Sequence, residues 1–170
     1  MSVPDTQSTV AKAKLFLFTL LIACAALAGL FTYQYLQHDF ETLDGKTYRW
    51  KGLEGQWIVV NYFAPWCAPC LREMPELAIF NSSLPEKTQL FAINYDPKSA
   101  SELAEMTKEF NITIPVIVSS PDTKLPMKKP PYLPATFIIG PDGKVIDTIM
   151  GELTAAHLKQ RLETLKGANE

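Results

Sequence analysis

The chain has 170 residues, with 16 basic against 18 acidic side chains for a formal net charge of −2, and only three cysteines. The near balance of charge leaves no basic field and argues against nucleic acid as a partner. Three cysteines, one of them inside an apolar run, cannot build a disulfide framework, so the core must hold the fold. The length suits one domain of ordinary size with an appendage.

The appendage comes first. Residues 15–33, LFLFTLLIACAALAGLFTY, carry no charge over nineteen positions, close to the roughly 20 helical residues that cross a bilayer core. Lys12 and Lys14 precede the run, and Asp39, Glu41 and Asp44 follow it. The positive-inside rule therefore predicts a cytoplasmic tail over 1–14, a transmembrane signal anchor over 15–35 and the rest of the chain outside the cytoplasm. Tyr33 and Tyr35 fall where an interfacial aromatic belt would lie. Two processing readings stay open: Ala26-Leu27-Ala28 has the small residues of a signal-peptidase site, and Leu21-Ile22-Ala23-Cys24 those of a lipobox with Cys24 lipidated. The apolar run continues past both cuts, which favours the uncleaved anchor and makes Cys24 a small apolar residue of a membrane helix. Every one of these readings delivers the domain to the same compartment.

The domain itself is predicted over 40–166, with 167–170 a frayed tail. Phe40 to Gly55 reads as a polar lead-in with turns at Asp44-Gly45 and Glu54-Gly55 and a short edge strand at Tyr48-Arg49-Trp50. Residues 57–64, WIVVNYFA, have the β-branched content of a buried strand. After Trp66-Cys67-Ala68-Pro69-Cys70, a helix places Leu71, Met74, Leu77 and Ala78 on one face. A second buried strand follows over 88–94. A helix over 99–110 turns Leu103, Met106 and Phe110 inward, and a short strand covers 115–119. Pro121, Pro126, Pro130, Pro131 and Pro134 punctuate a loop that cannot be regular structure. Strands over 135–139 and 144–150 flank the turn Gly140-Pro141-Asp142-Gly143 and form a hairpin. The last helix, 154–166, turns Leu158, Leu162 and Leu165 inward. This order predicts an α/β domain whose mixed sheet has early parallel strands and an antiparallel last pair.

Cys67 and Cys70 lie between a strand and a helix, the setting of a dithiol redox site. A structural disulfide or half a zinc site is the other reading. Zinc needs four ligands, and no second cysteine pair exists, while His38 and His157 are distant in sequence.

Four motifs in this order resemble the thioredoxin fold, and more narrowly the TlpA/ResA-type membrane-anchored thiol-disulfide oxidoreductases of bacteria: WCAPC after an apolar strand, Glu73-Met74-Pro75, Leu133-Pro134-Ala135-Thr136-Phe137, and Gly140-Pro141-Asp142-Gly143. The resemblance implies a thioredoxin-like three-layer fold with a central mixed sheet. It also implies that the anchor holds the domain at the periplasmic or extracytoplasmic face of the inner membrane. The implied activity is reduction of protein disulfides, with cytochrome c maturation among the family's roles. Oxidised protein thiols would be the substrates and a membrane protein of the DsbD/CcdA type the electron donor. No cofactor is implied beyond the Cys67–Cys70 dithiol, and no metal.

The resemblance also assigns roles. Cys67, at the helix start where unpaired N–H groups favour an anion, would attack as thiolate; Cys70 would resolve the mixed disulfide. Ala68-Pro69 adds no cation to stabilise the thiolate, which leans the pair towards a reductant. Pro75 matches a helix-kinking proline. Pro134 matches a cis-proline, with Leu133 before it offering backbone hydrogen bonds to an extended substrate, and Trp66 would shield the disulfide and support the partner surface. The buried acid of thioredoxin is replaced by Asn61, and its lysine partner by Ala92. Glu73, one turn after Cys70, matches a carboxylate that would raise thiol pKa values and shuttle a proton. A solvated glutamate complementing the helix dipole is the alternative.

Other functions weigh less. A Sco-type copper or metallochaperone module would have Cys-x-x-x-Cys and a histidine before the hairpin, and this chain has neither. A thiol peroxidase would have threonine where Ala64 stands. A non-enzymatic chaperone would use only the groove. The loop 120–133 is a candidate specificity element.

Overall fold

A computed structural model of the chain describes residues 6–168; the outer parts of both expected tails, 1–5 and 169–170, and the side chain of Tyr35 lie outside the described residues. The chain forms two compact units, Met1–Gln37 and His38–Glu170. The first is helix α1, Thr6–Leu36. Its segment Lys14–Tyr33, 20 residues of mean hydropathy 2.4, is long and apolar enough to cross a membrane. Its two threonine hydroxyls are satisfied along the helix: Thr19 donates to the Phe16 carbonyl at 2.9 Å and Thr32 to that of Ala28 at 2.8 Å. Neither threonine therefore needs a partner from outside the helix.

The second unit is built on a seven-stranded sheet. In chain order come β1 (Phe40–Thr42), β2 (Thr47–Tyr48), a 3-10 turn (Trp50–Leu53), β3 (Trp57–Phe63), α2 (Ala68–Ser82), β4 (Thr88–Asn94), α3 (Ala100–Glu109), β5 (Val116–Val118), β6 (Ala135–Ile139), β7 (Val145–Met150) and α4 (Ala155–Gly167). The spatial order is β2-β1-β5-β4-β3-β6-β7. β3, β4 and β5 are parallel and β6 and β7 antiparallel, as the α/β pattern predicts; β1 and β2, which come first in the domain, are antiparallel as well, which it does not. This is the thioredoxin-like architecture.

Strand parity sorts the core into two layers. Trp57, Val59 and Phe63 of β3, Leu90 and Ala92 of β4 and Ile138 of β6 meet Met74, Leu77 and Phe80 of α2, Leu103 and Met106 of α3, and Leu158 and Leu162 of α4. The alternate residues, among them Ile58, Val60, Tyr62, Phe91, Ile93 and Ile117, pack under Phe40, Tyr48, Trp50 and Leu53 and the loop residues Leu125 and Met127. β3 is buried at every position, which is why it reads as a continuous apolar run.

Local differences from expectation have local causes. Phe40 is expected in a polar lead-in, yet it begins β1. It is 1% exposed, with its ring stacked 4.9 Å from Tyr48 and edge-on to Phe91 at 5.3 Å. Trp50 leaves the edge strand for the 3-10 turn, because its N–H is taken by Asp39 and its indole N–H by the Lys124 carbonyl, both at 2.8 Å. Phe110 and Leu165 are only half-buried. Ser99 caps α3 in a reciprocal capping box with Glu102.

Candidate functional site

The parallel strands β3 and β4 end side by side, and the chain leaves β3 directly into Trp66 and Cys67. β6 runs antiparallel to β3 with Tyr62 opposite Ala135. The Leu133–Pro134 step therefore lies at this same edge, as does the Met150 end of β7. Four strand ends thus converge on the cysteines.

Cys67 is the N-cap of α2, and the Cys70 N–H donates to its sulfur at 3.3 Å. The two are joined in a disulfide with Cα atoms 5.2 Å apart. Cys67 is 5% exposed and Cys70 0%, so the outer sulfur is the one a partner reaches first. Pro69 sits in the first turn, where its missing N–H costs nothing. Pro75 lies inside α2, where it removes the N–H that would bond the Leu71 carbonyl.

One turn beyond Cys70, Glu73 is 0% exposed. The solvated alternative is thereby excluded. Its Oε1 accepts from Asn61 Nδ2 at 2.7 Å, and its Oε2 from the Leu153 N–H at 3.1 Å. Burial pushes its pKa from 4.5 up to about 7, and the nearby Glu152 carboxylate adds to the rise, against the lowering effect of the two hydrogen bonds. Asn61 stands between Ala92 of β4 and Thr136 of β6 in the sheet, on the face that α2 covers, and also donates to Thr136 Oγ1 at 3.0 Å. In the sequence Asn61 stands out only as a missing acid. Its odd-numbered position, in step with Val59 and Phe63, is the available signal that it faces the cysteine helix.

Around the outer sulfur the surface is aromatic. Trp66 is 62% exposed, and its indole N–H donates to Asp96 Oδ2 at 2.7 Å. Its ring meets Tyr95 edge-on at 6.0 Å, and Lys129 Nζ lies 3.5 Å over the Tyr95 ring. Trp66 is therefore held outward by the end of β4. Nothing in the sequence points to Tyr95, Asp96 or Lys129, since contacts between the ends of separate strands leave no periodic trace. The Leu133–Pro134 peptide bond is cis, Pro134 is buried, and its carbonyl accepts the Gly151 N–H at 2.9 Å. Leu133 is half-buried against the apolar cluster that contains both cysteines. His38, in the connection before β1, and His157, in α4, are both exposed.

Similarity to known proteins agrees with this geometry. Residues 31–148 match the model of the AhpC/TSA family. The thiol-disulfide oxidoreductase ResA of Geobacillus thermodenitrificans is 31% identical over 126 residues, which cover 73% of this chain and 71% of that protein. The thioredoxin-like protein YneN of Bacillus subtilis is 24% identical over 127 residues, 74% of each chain. Among solved structures, StoA from Bacillus subtilis superposes with a TM-score of 0.61 at 22% identity, covering 71% of this chain and 92% of that one.

Proposed function

The chain belongs to the AhpC/TSA family and is a thiol-disulfide oxidoreductase of the ResA kind, and from that premise we propose that it works as a reductase of protein disulfides on the extracytoplasmic side of the inner membrane. The observation that carries the direction is Glu73, a fully buried carboxyl one turn from the resolving cysteine. An ionised Glu73 disfavours a second anion beside it, and Ala68-Pro69 supplies no compensating cation. A dithiol whose thiolate is not specially stabilised gives up its electrons readily.

The cycle starts from the dithiol. Cys67, deprotonated at the N-terminus of α2, attacks one sulfur of a substrate disulfide; the other substrate sulfur leaves as thiolate and takes a proton. Glu73 accepts the Cys70 proton, and the Cys70 thiolate attacks Cys67 Sγ. The second substrate thiol is released and the Cys67–Cys70 disulfide remains. Two electrons have passed to the substrate, and a membrane dithiol donor of the DsbD/CcdA type would restore the pair. Leu133 and Pro134 would align the substrate backbone beside Cys67, with Trp66 as the flanking apolar surface. Cytochrome c apoproteins, whose haem-binding cysteines must be reduced, are a substrate class this reading includes.

Two other readings lack a needed group. A peroxidase of this kind would need a hydroxyl at the position of buried Ala64, and a copper carrier a histidine near the pair. The test of direction is the reduction potential. A value near or below that of thioredoxin, about −270 mV, is expected, whereas one near the strong oxidants, about −120 mV, would defeat the reductase reading.

A further inference from the structure

Asn61 is a buried polar group that the cycle above leaves without a task. It is 0% exposed, both of its hydrogen bonds run through Nδ2, and its Oδ1 has no partner among the described residues. A buried carbonyl without a donor is costly, and a leucine of similar size would avoid that cost. The arrangement makes sense when both forms of Glu73 are considered. Ionised, the carboxylate only accepts; protonated, it also carries an O–H to donate. A primary amide serves both, because a half-turn about its last torsion exchanges NH2 for C=O with almost no change of shape. The Thr136 hydroxyl can likewise accept from the one face or donate to the other.

We propose that Asn61, held by Thr136, is a positioning residue that follows the proton on Glu73, presenting NH2 to the carboxylate and C=O to the acid. It thereby lets the buried acid take the Cys70 proton and hand it on without either form being left unpaired. The inference rests on the reading of Glu73 as the proton acceptor for Cys70. The step balances: Glu73 carboxylate and Cys70 thiol become Glu73 acid and Cys70 thiolate, the thiolate displaces the substrate sulfur from Cys67, and the departing sulfur recovers the proton from Glu73 through solvent.

The groups able to disturb this titration are few. From β3 and β6 come Asn61 and Thr136, neither of which titrates. From the segment after β7 come the Leu153 N–H and Glu152, whose carboxylate is bound by Arg72 at 2.7 and 3.2 Å. On α2 itself Cys70 lies one turn away.

The experiment follows the infrared carbonyl stretch of the protonated acid against pH in the full-length reduced chain, assigned by its loss in Glu73→Gln, together with the pH profile of disulfide reduction. Asn61→Leu removes both faces of the amide; because the bond to the charged carboxylate is the stronger of the two, the midpoint is expected to rise by about one pH unit or more, with the inflection of the rate moving alongside. Thr136→Val, which is nearly isosteric, is expected to shift both in the same direction by less. A midpoint that stays in place in both variants overturns the inference while leaving Glu73 its role; lowered stability with an unmoved midpoint does the same. A rate profile in Glu73→Gln that matches the wild type overturns both.

Discussion

Glu73 concentrates the thermodynamics of the site in one side chain. Its folded-state pKa of about 7 lies above the ordinary 4.5, so between those values the folded chain binds more protons than the unfolded one. Stability contributed by this group is therefore full below about pH 4.5 and lost as pH rises towards 7. A tenfold change in proton affinity is worth about 1.4 kcal/mol, so the loss is up to about 3 kcal/mol. Glu73→Gln removes that slope. In urea melts the variant should match the wild type near pH 4.5 and exceed it by up to about 3 kcal/mol near pH 8; parallel behaviour of the two proteins across this range would show that burial imposes no such cost. The difference between the two chains is the quantity to read, because Asp44 and Asp142, held low by their lysine partners Lys46 and Lys144, contribute with the opposite sign in both. The same substitution should slow disulfide reduction, since glutamine cannot accept the Cys70 proton. Stability and turnover then move in opposite directions above pH 7, as expected where a site keeps an unfavourable group for its chemistry.

At the scale of elements, α2 does more than present the cysteines. Successive side chains along it grip the segment between β7 and α4: Arg72 pairs with Glu152, Glu73 accepts from the Leu153 N–H, and Glu76 Oε2 accepts from the Ala155 N–H at 2.9 Å. The last of these satisfies an orphan donor in the first turn of α4, a turn that Thr154 also caps by accepting from the His157 N–H at 3.2 Å. Gly151, in the same segment, donates to the Pro134 carbonyl, so one short connection ties the cysteine helix to the cis-proline loop. Its backbone has φ +96°, which glycine adopts freely. Glu76→Ala should cost about 1 kcal/mol, the usual value of a helix-start acceptor, while leaving the rate of disulfide reduction close to wild type. A thermal melt and a turnover assay on the same preparation separate the two, and a large loss of turnover would mean that the grip on this segment positions the site as well as stabilising it. The exposed Arg72–Glu152 pair contributes less, because water and salt screen it.

Over the whole molecule, the apolar helix and the redox domain are separate compact units, and the protein's substrates depend on where the first puts the second. If Lys14–Tyr33 crosses the inner membrane with Lys12 and Lys14 inside, the disulfides available to Cys67 are those of exported proteins. Capture in living cells tests this. A full-length Cys70→Ser chain cannot resolve its mixed disulfide, so its partners stay bound through Cys67 in the membrane fraction. A catch dominated by haem-attachment apoproteins is the outcome expected for a maturation reductase, whereas a broad catch of exported proteins would remove that specialisation, and cytoplasmic partners would reverse the topology.

Most of the architecture is legible in local pattern. β4 and β6 lie where their apolar runs place them, α3 and α4 start at the residues whose side chains cap them, and the Cys-x-x-Cys falls at the strand-to-helix step. Each of these rests on neighbours a few residues apart, where period and capping chemistry act. β1 escapes notice because three residues are too few to display a period, and Trp50 because its two hydrogen-bond partners lie 11 and 74 positions away. The polar heart of the site is out of reach for the same reason. That Glu73 lies one turn beyond Cys70 is legible. That it is buried, with Asn61 below it, Thr136 beyond, and Leu153 closing the other side, depends on contacts 12 to 80 residues long. Helical and strand periods say which face a residue occupies. What stands opposite that face, and so whether a carboxyl keeps or loses its water, is decided only when β3, β6 and α2 pack together.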